Sequence, residues 1–111
     1  MLDELDFRKH ADDAIESLKK SLIDAEEDGG FEVEEQNGVL NIVFEEPPAK
    51  FVITPNAPVR QIWISALATS FKLDWLEEAK DFVYPKDSLT LKPLVAKLIN
   101  AQLGEDSVVL E

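Results

Sequence analysis

The chain has no cysteine, which excludes a disulfide framework, a thiolate metal site, a catalytic thiol and a persulfide carrier together. Histidine occurs once, as His10, without a Ser or Cys partner in any recognisable motif. No H-E-x-x-H segment and no Gly-rich phosphate loop are present, and four glycines leave little scope for a backbone anion cradle. Nucleophilic catalysis therefore lacks its equipment, and His10 reads as a half-exposed helix side chain without a chemical task. No apolar run approaches the roughly 20 residues a membrane helix requires. The first ten residues, MLDELDFRKH, have neither the apolar segment of a signal peptide nor the Arg/Ser-rich, acid-poor character of a transit peptide. Bases are scarce too: 11 Lys and Arg face 23 Asp and Glu, a net charge of −12. A duplex carries one phosphate charge per roughly 1.7 Å and would repel such a protein, so neither nucleic acid nor membrane is an expected partner.

What is present is ordinary globular chemistry, 45% hydrophobic and 31% charged over 111 residues. A chain of this length buries roughly two thirds of its unfolded surface. We expect one soluble, intracellular domain over residues 1–111. The charge is uneven: residues 1–46 hold fifteen acids and four bases, and the remainder is almost balanced. A solubilising surface explains such an excess. So does an electrostatic face aimed at cations or at a basic protein.

Residues 3–28 predict a helix. Phe7, Ala11, Ile15, Leu18, Leu22 and Ala25 recur at spacings of three and four, the buried stripe of an amphipathic helix. Asp3, Glu4 and Asp6 suit its start, and Gly29 with Gly30 stops it. Glu16 with Lys20, and Lys20 with Asp24, are spaced for ion pairs along its polar face. The period then becomes two. Phe31 and Val33 alternate with Glu32 and Glu34, and Asn37 with Gly38 signals a hairpin into a strand whose inward set is Leu40, Ile42 and Phe44. After Pro47 and Pro48, residues 50–53 form a third strand, and Pro55 and Pro58 bracket a turn.

Residues 60–67 form a fourth strand, with Ile62, Ile64 and Ala66 on one face and Trp63 and Ser65 on the other. A shorter hairpin follows from residues 71–76 and 82–84, with Trp75 packing beside Leu73 at the sheet edge. A second helix begins at Ser88 or Thr90, tolerates Pro93 in its first turn, buries Leu91, Leu94, Val95, Leu98 and Ala101, and ends at Gly104. Val108, Val109 and Leu110 are expected to pack back against the helices. The fold class is α+β: a two-layer sandwich of an antiparallel five- to six-stranded sheet with the N- and C-terminal helices on one face.

Two surface features remain. Asp12, Asp13, Glu16, Asp24, Glu26, Glu27 and Asp28, continued by Glu32, Glu34 and Glu35, make an acidic stretch, interrupted by Lys19 and Lys20. Carboxylate oxygens suit hard cations, at an affinity on the order of 10⁻⁵–10⁻³ M for an exposed, unshaped site. The second feature is Trp63, which alternation places on the sheet face the helices leave uncovered, flanked by Gln61 and Ser65. An exposed tryptophan of this kind is a typical interface anchor.

The segment FVITPNAPVRQIWIS, residues 51–65, resembles the signature of the frataxin family, whose core reads Gln-Ile-Trp-Leu-Ser. Asn37-Gly38-Val39-Leu40, Asp74-Trp75, Phe82-Val83-Tyr84 and Ser88-Leu89 fall where that family has its hairpin, its Asp-Trp pair, the following strand and the opening of the last helix. The resemblance covers about residues 3–104. It implies a non-enzymatic, monomeric accessory factor of iron–sulfur cluster assembly, cytoplasmic in a bacterium or in the mitochondrial matrix after loss of a transit peptide. Such a factor binds iron (Fe2+/Fe3+) weakly, carries no organic cofactor, and docks on a cysteine desulfurase and iron–sulfur scaffold protein, which it regulates or supplies with iron.

Carried over by position, the iron-binding ridge comprises Asp12, Asp13, Glu16, Asp24, Glu27 and Glu32. The partner contacts are Gln61, Ile62, Trp63 and Lys72, with Asn56 from the preceding turn. Departures from the family pattern are Arg8, Lys19, Lys20 and Ile23 along the ridge, Thr54 and Asn56 before Pro58, and residues 66–70 in the loop after the fourth strand. They weigh on iron loading more than on docking. The alternatives are an iron chaperone or storage protein with weak ferroxidase activity, and a plain interaction domain whose acidity only keeps it soluble.

Overall fold

The computed structural model describes residues 3–29, 31–36, 38–45, 48–67, 69–104 and 110, with the side chains of residues 27–29 and 45 left aside. Helix α1 (Glu4–Gly29) is followed by a run of strands: β1 (Phe31–Gln36), β2 (Val39–Glu45), β3 (Pro48–Asn56), β4 (Gln61–Ala66), β5 (Thr69–Leu76), β6 (Asp81–Tyr84) and β7 (Leu89–Thr90). A 3-10 turn (Ala57–Val59) joins β3 to β4, and helix α2 (Leu91–Leu103) completes the order. Each strand pairs antiparallel with the next, giving one sheet in the order β1 to β7.

The helix stripe read from spacing is the stripe that is buried. Phe7, Ala11, Ile15, Leu18 and Leu22 lie in the core, and Ala25 packs against it. Asp3 caps α1, its Oδ1 accepting the N–H of Asp6 at 2.8 Å, which satisfies one of the otherwise unpaired first-turn donors. From the sheet, Leu40, Ile42, Phe44, Phe51, Ile53, Ile62, Ile64, Leu73 and Phe82 face the helices and are buried. The register places them side by side across strands, as in Ile42 opposite Phe51 and Ile53 opposite Ile64. The alternate residues, Thr54, Trp63, Ser65, Lys72 and Asp74 among them, form the open face.

The observed fold departs from expectation in several places. It has seven strands rather than five or six, because the two-residue β7 pairs with β6 just before α2 and is too short to leave a periodic signal. Strand β3 runs on through Pro55 instead of turning there. Pairing of β3 to β2 ends at Ile53, so Pro55 is laddered to β4 alone, the condition under which a strand proline is tolerated. Arg60 lies outside β4, in the left-handed region at φ 57 that closes the 3-10 turn. In α2, Ala101 is exposed and Ile99 takes its expected place in the core. Thr90 is the residue before α2 but makes no side-chain capping bond, whereas Gly104 ends the helix at φ 73 as expected. Leu110 packs into the core, and Val108 and Val109 lie outside the described residues.

Candidate functional site

The acidic carboxylates spread over the outer side of α1 and onto β1. Asp12, Asp13, Glu16, Asp24 and Glu32 are all exposed, and the side chain of Glu27 lies outside the described residues. Consecutive helix residues point about 100° apart, so Asp12 and Glu16 turn toward the β1 side while Asp13 turns toward α2. Neither Glu16 with Lys20 nor Lys20 with Asp24 forms an ion pair. Lys19 instead reaches across to β1, its Nζ 3.0 Å from Glu35 Oε1. Glu26 also turns to β1, its Oε2 accepting the N–H of Val33 at 2.8 Å and covering one backbone donor of an edge strand. Two carboxylates of the stretch are thus spent holding α1 to β1. Among the described residues, no three His, Asp or Glu side chains gather closely enough to hold one metal ion.

The open face is more ordered. Trp63 stands opposite Thr54 on β3 and Lys72 on β5. Its indole N–H donates to Gln61 Oε1 at 2.8 Å, and the Gln61 amide donates in turn to Asp74 Oδ1 at 2.9 Å. The Lys72 ammonium lies over the Trp63 ring, 4.8 Å from its centroid, a cation–π distance. Asn56 is paired with Gln61 across the β3–β4 ladder and shares this face. Ile62 does not: strand alternation turns it to the helix side, where it is fully buried opposite Leu73. It supports the open face from beneath, out of reach of solvent.

The sequence reading missed a third arrangement. His10 stacks on Trp75 with ring centroids 4.1 Å apart and planes at 21°, and Trp75 in turn meets Phe82 edge-on at 5.3 Å. Trp75 therefore lies on the helix-covered side, clamping the N-terminal half of α1 to β5 and β6, instead of packing at an edge. Its indole N–H donates to Glu77 Oε2 at 2.7 Å, and Lys80 Nζ donates to Glu77 Oε1 at 2.6 Å. Those two donors, Lys80 first, hold the Glu77 carboxyl below the usual glutamate range. Beside this stack is a groove of about 420 Å³ lined by Asp13, Asp81 and Lys92 among others. Burial raises the Asp81 carboxyl above the usual aspartate range, opposed by the N–H of Phe82 and the charge of Lys92. Only the (i, i+3) spacing of His10 and Asp13 hinted at this grouping; the partners from β5, β6 and α2 are distant in sequence.

Comparison with known proteins agrees with this architecture. Residues 1–105 match the frataxin-like domain. Curated relatives named iron-sulfur cluster assembly protein CyaY include one from Pseudomonas fluorescens, 28% identical over 96 residues, covering 85% of this chain and 86% of the relative. Another, from Azotobacter vinelandii, is 28% identical over 94 residues, covering 83% and 84%. Among solved structures, frataxin from Psychromonas ingrahamii superposes with a TM-score of 0.81 at 16% identity over 97% of each chain. Yeast frataxin superposes at 0.69 and 21% identity, over 89% of this chain and 81% of that one. With its helix–meander–helix order and a family match spanning nearly its whole length, the chain belongs to the frataxin-like family.

Proposed function

We propose that this chain is an accessory factor of iron–sulfur cluster assembly, a monomeric adaptor that docks on a cysteine desulfurase and its scaffold protein and regulates them. The name borne by its curated relatives supports the pathway. The observation that carries the docking is the open sheet face, where the helices leave Trp63 uncovered and held beneath Lys72. Rigid, partly exposed aromatic residues are the usual anchors of protein interfaces. The acidic side of α1 and β1 supplies the second contact, complementary to a basic partner surface and able to speed encounter by charge.

Iron is cargo in this reading, held weakly along Asp12, Asp13, Glu16, Asp24, Glu27 and Glu32. The alternative, an iron chaperone or storage protein with weak ferroxidase activity, calls for carboxylates gathered about an ion. The adaptor reading needs only the surface they make.

The test is an amide and indole NMR titration of the labelled chain with a cysteine desulfurase, at low and at physiological salt. Shifts of residues 12–35 together with the Trp63 indole, weakening as salt rises, are expected. No perturbation under either condition would remove the adaptor reading for this partner. Replacing Asp12, Asp13 and Glu16 together by Asn, Asn and Gln should weaken docking; unchanged affinity would reduce the acidity to solubilisation.

A further inference from the structure

The open face contains a chain of hydrogen bonds whose direction is fixed by chemistry. A carboxylate only accepts, so Asp74 draws the amide NH2 group of Gln61 toward itself at 2.9 Å. The carbonyl oxygen of Gln61 is thereby left facing along its own strand toward Trp63, two residues on, where it accepts the indole N–H at 2.8 Å. Cross-strand pairing makes this possible: Gln61 stands opposite Asp74, and Trp63 opposite Lys72. The carboxylate that sets the order does not touch the indole, and the indole's one polar group is already satisfied within the molecule. What the face offers outward is the ring and the Lys72 ammonium.

We infer that Asp74 is a positioning residue for this docking face: by orienting the Gln61 amide it fixes the Trp63 ring beneath Lys72, so that a partner recognises an aromatic face and an ammonium rather than an N–H donor. The complementary partner surface is an apolar side chain to lie on the ring, with a carboxylate beside it for Lys72. This inference rests on the adaptor reading for its biological consequence, but its structural content is measurable in the free chain.

Two variants separate orientation from charge. Asp74→Asn removes the charge yet can turn its own amide oxygen to the Gln61 NH2 group, so it keeps the relay. Asp74→Ala releases Gln61. In the free protein, Asp74→Ala should lose the protection of the Trp63 indole N–H against solvent exchange, while Asp74→Asn should retain it. The Trp75 indole signal is assigned separately with Trp75→Phe. Against a cysteine desulfurase, Asp74→Ala should dock about 2- to 10-fold more weakly, the range of one neutral hydrogen bond, with Asp74→Asn close to the parent.

The relay is overturned if Asp74→Ala leaves the Trp63 indole protected, or if both variants weaken docking equally, which would make charge the cause. Trp63→Ala separates the two readings. If it docks as the parent does, the sheet-face reading fails, whereas the indole measurement still decides the relay. If it docks weakly while Asp74→Ala does not, the relay fails alone.

Discussion

At the scale of single residues, the two displaced carboxyls beside the His10–Trp75 stack give opposite pH behaviour. Glu77 lies below its ordinary range because Lys80 and then the Trp75 indole donate to it. Lys80→Met should therefore move its titration upward most, and Trp75→Phe less, as followed by side-chain carboxyl NMR. Asp81 is raised because burial penalises its charge. Its favourable contribution to folding is thus present below about pH 3.9, the ordinary aspartate value, and is lost as pH rises through the raised one. Asp81→Asn keeps an oxygen for the Phe82 N–H and never ionises. It should melt higher than the parent at pH 7 and converge with it in acid; a lower melting temperature at pH 7 would mean that the Phe82 and Lys92 attractions outweigh burial. The stack and the setting of Asp81 were not legible in the sequence, because His10, Trp75, Asp81 and Lys92 come from α1, β5, β6 and α2, whereas Trp75, Glu77 and Lys80 lie close together in the chain. Trp63 was legible, since period-two alternation alone decides its face. The same rule takes Ile62 off the open face, on which a motif carried over as a block had placed it.

Among the elements, α1 was read almost completely because five buried residues repeat at helical spacing over a long segment. Shortening one of them, as in Leu18→Ala, should cost about 2–5 kcal/mol in urea denaturation, while Ile23→Ala on the exposed side should stay within about 0.5 kcal/mol. The strand ends were harder. With few glycines available, the chain closes its turns with Arg60, Leu67, Lys80 and Ser88 at φ between 53 and 57, and the first three give no turn signal when read in sequence. Left-handed backbone at a non-glycine residue is strained, by roughly 1 kcal/mol or more. Leu67 carries that strain and is also exposed between β4 and β5. Leu67→Gly should relieve it, less the extra freedom glycine brings to the unfolded chain, for a net gain of about 0.5–1 kcal/mol. A loss of stability would show that the leucine side chain contributes more than its exposure suggests.

Over the whole molecule, the governing quantity is the charge of −12 and its concentration in the first 46 residues. The sequence disclosed that imbalance fully, but not that Glu26 and Glu35 are spent on β1 contacts, which depends on how α1 lies against the sheet. The ion pairs among the described residues are partly or largely exposed, and pairs of that kind contribute about 0–1 kcal/mol each. They do not offset self-repulsion along α1 and β1. Raising salt from about 0.01 M to 0.15 M shortens the screening length from about 30 Å to 8 Å, so the melting temperature of the free chain should rise. On the proposed function, the same addition should weaken docking to a basic partner surface, where the long-range charge term is attractive. One set of carboxylates would, on that proposal, oppose the fold and favour docking, and salt should move the two in opposite directions. Divalent cations at matched ionic strength distinguish screening from binding: a further rise that saturates with concentration follows ligand linkage and reports a site on the folded chain, whereas an identical rise reports screening alone. A melting temperature that falls with salt would reverse the account and make Lys19–Glu35 and its fellow pairs the dominant electrostatic term.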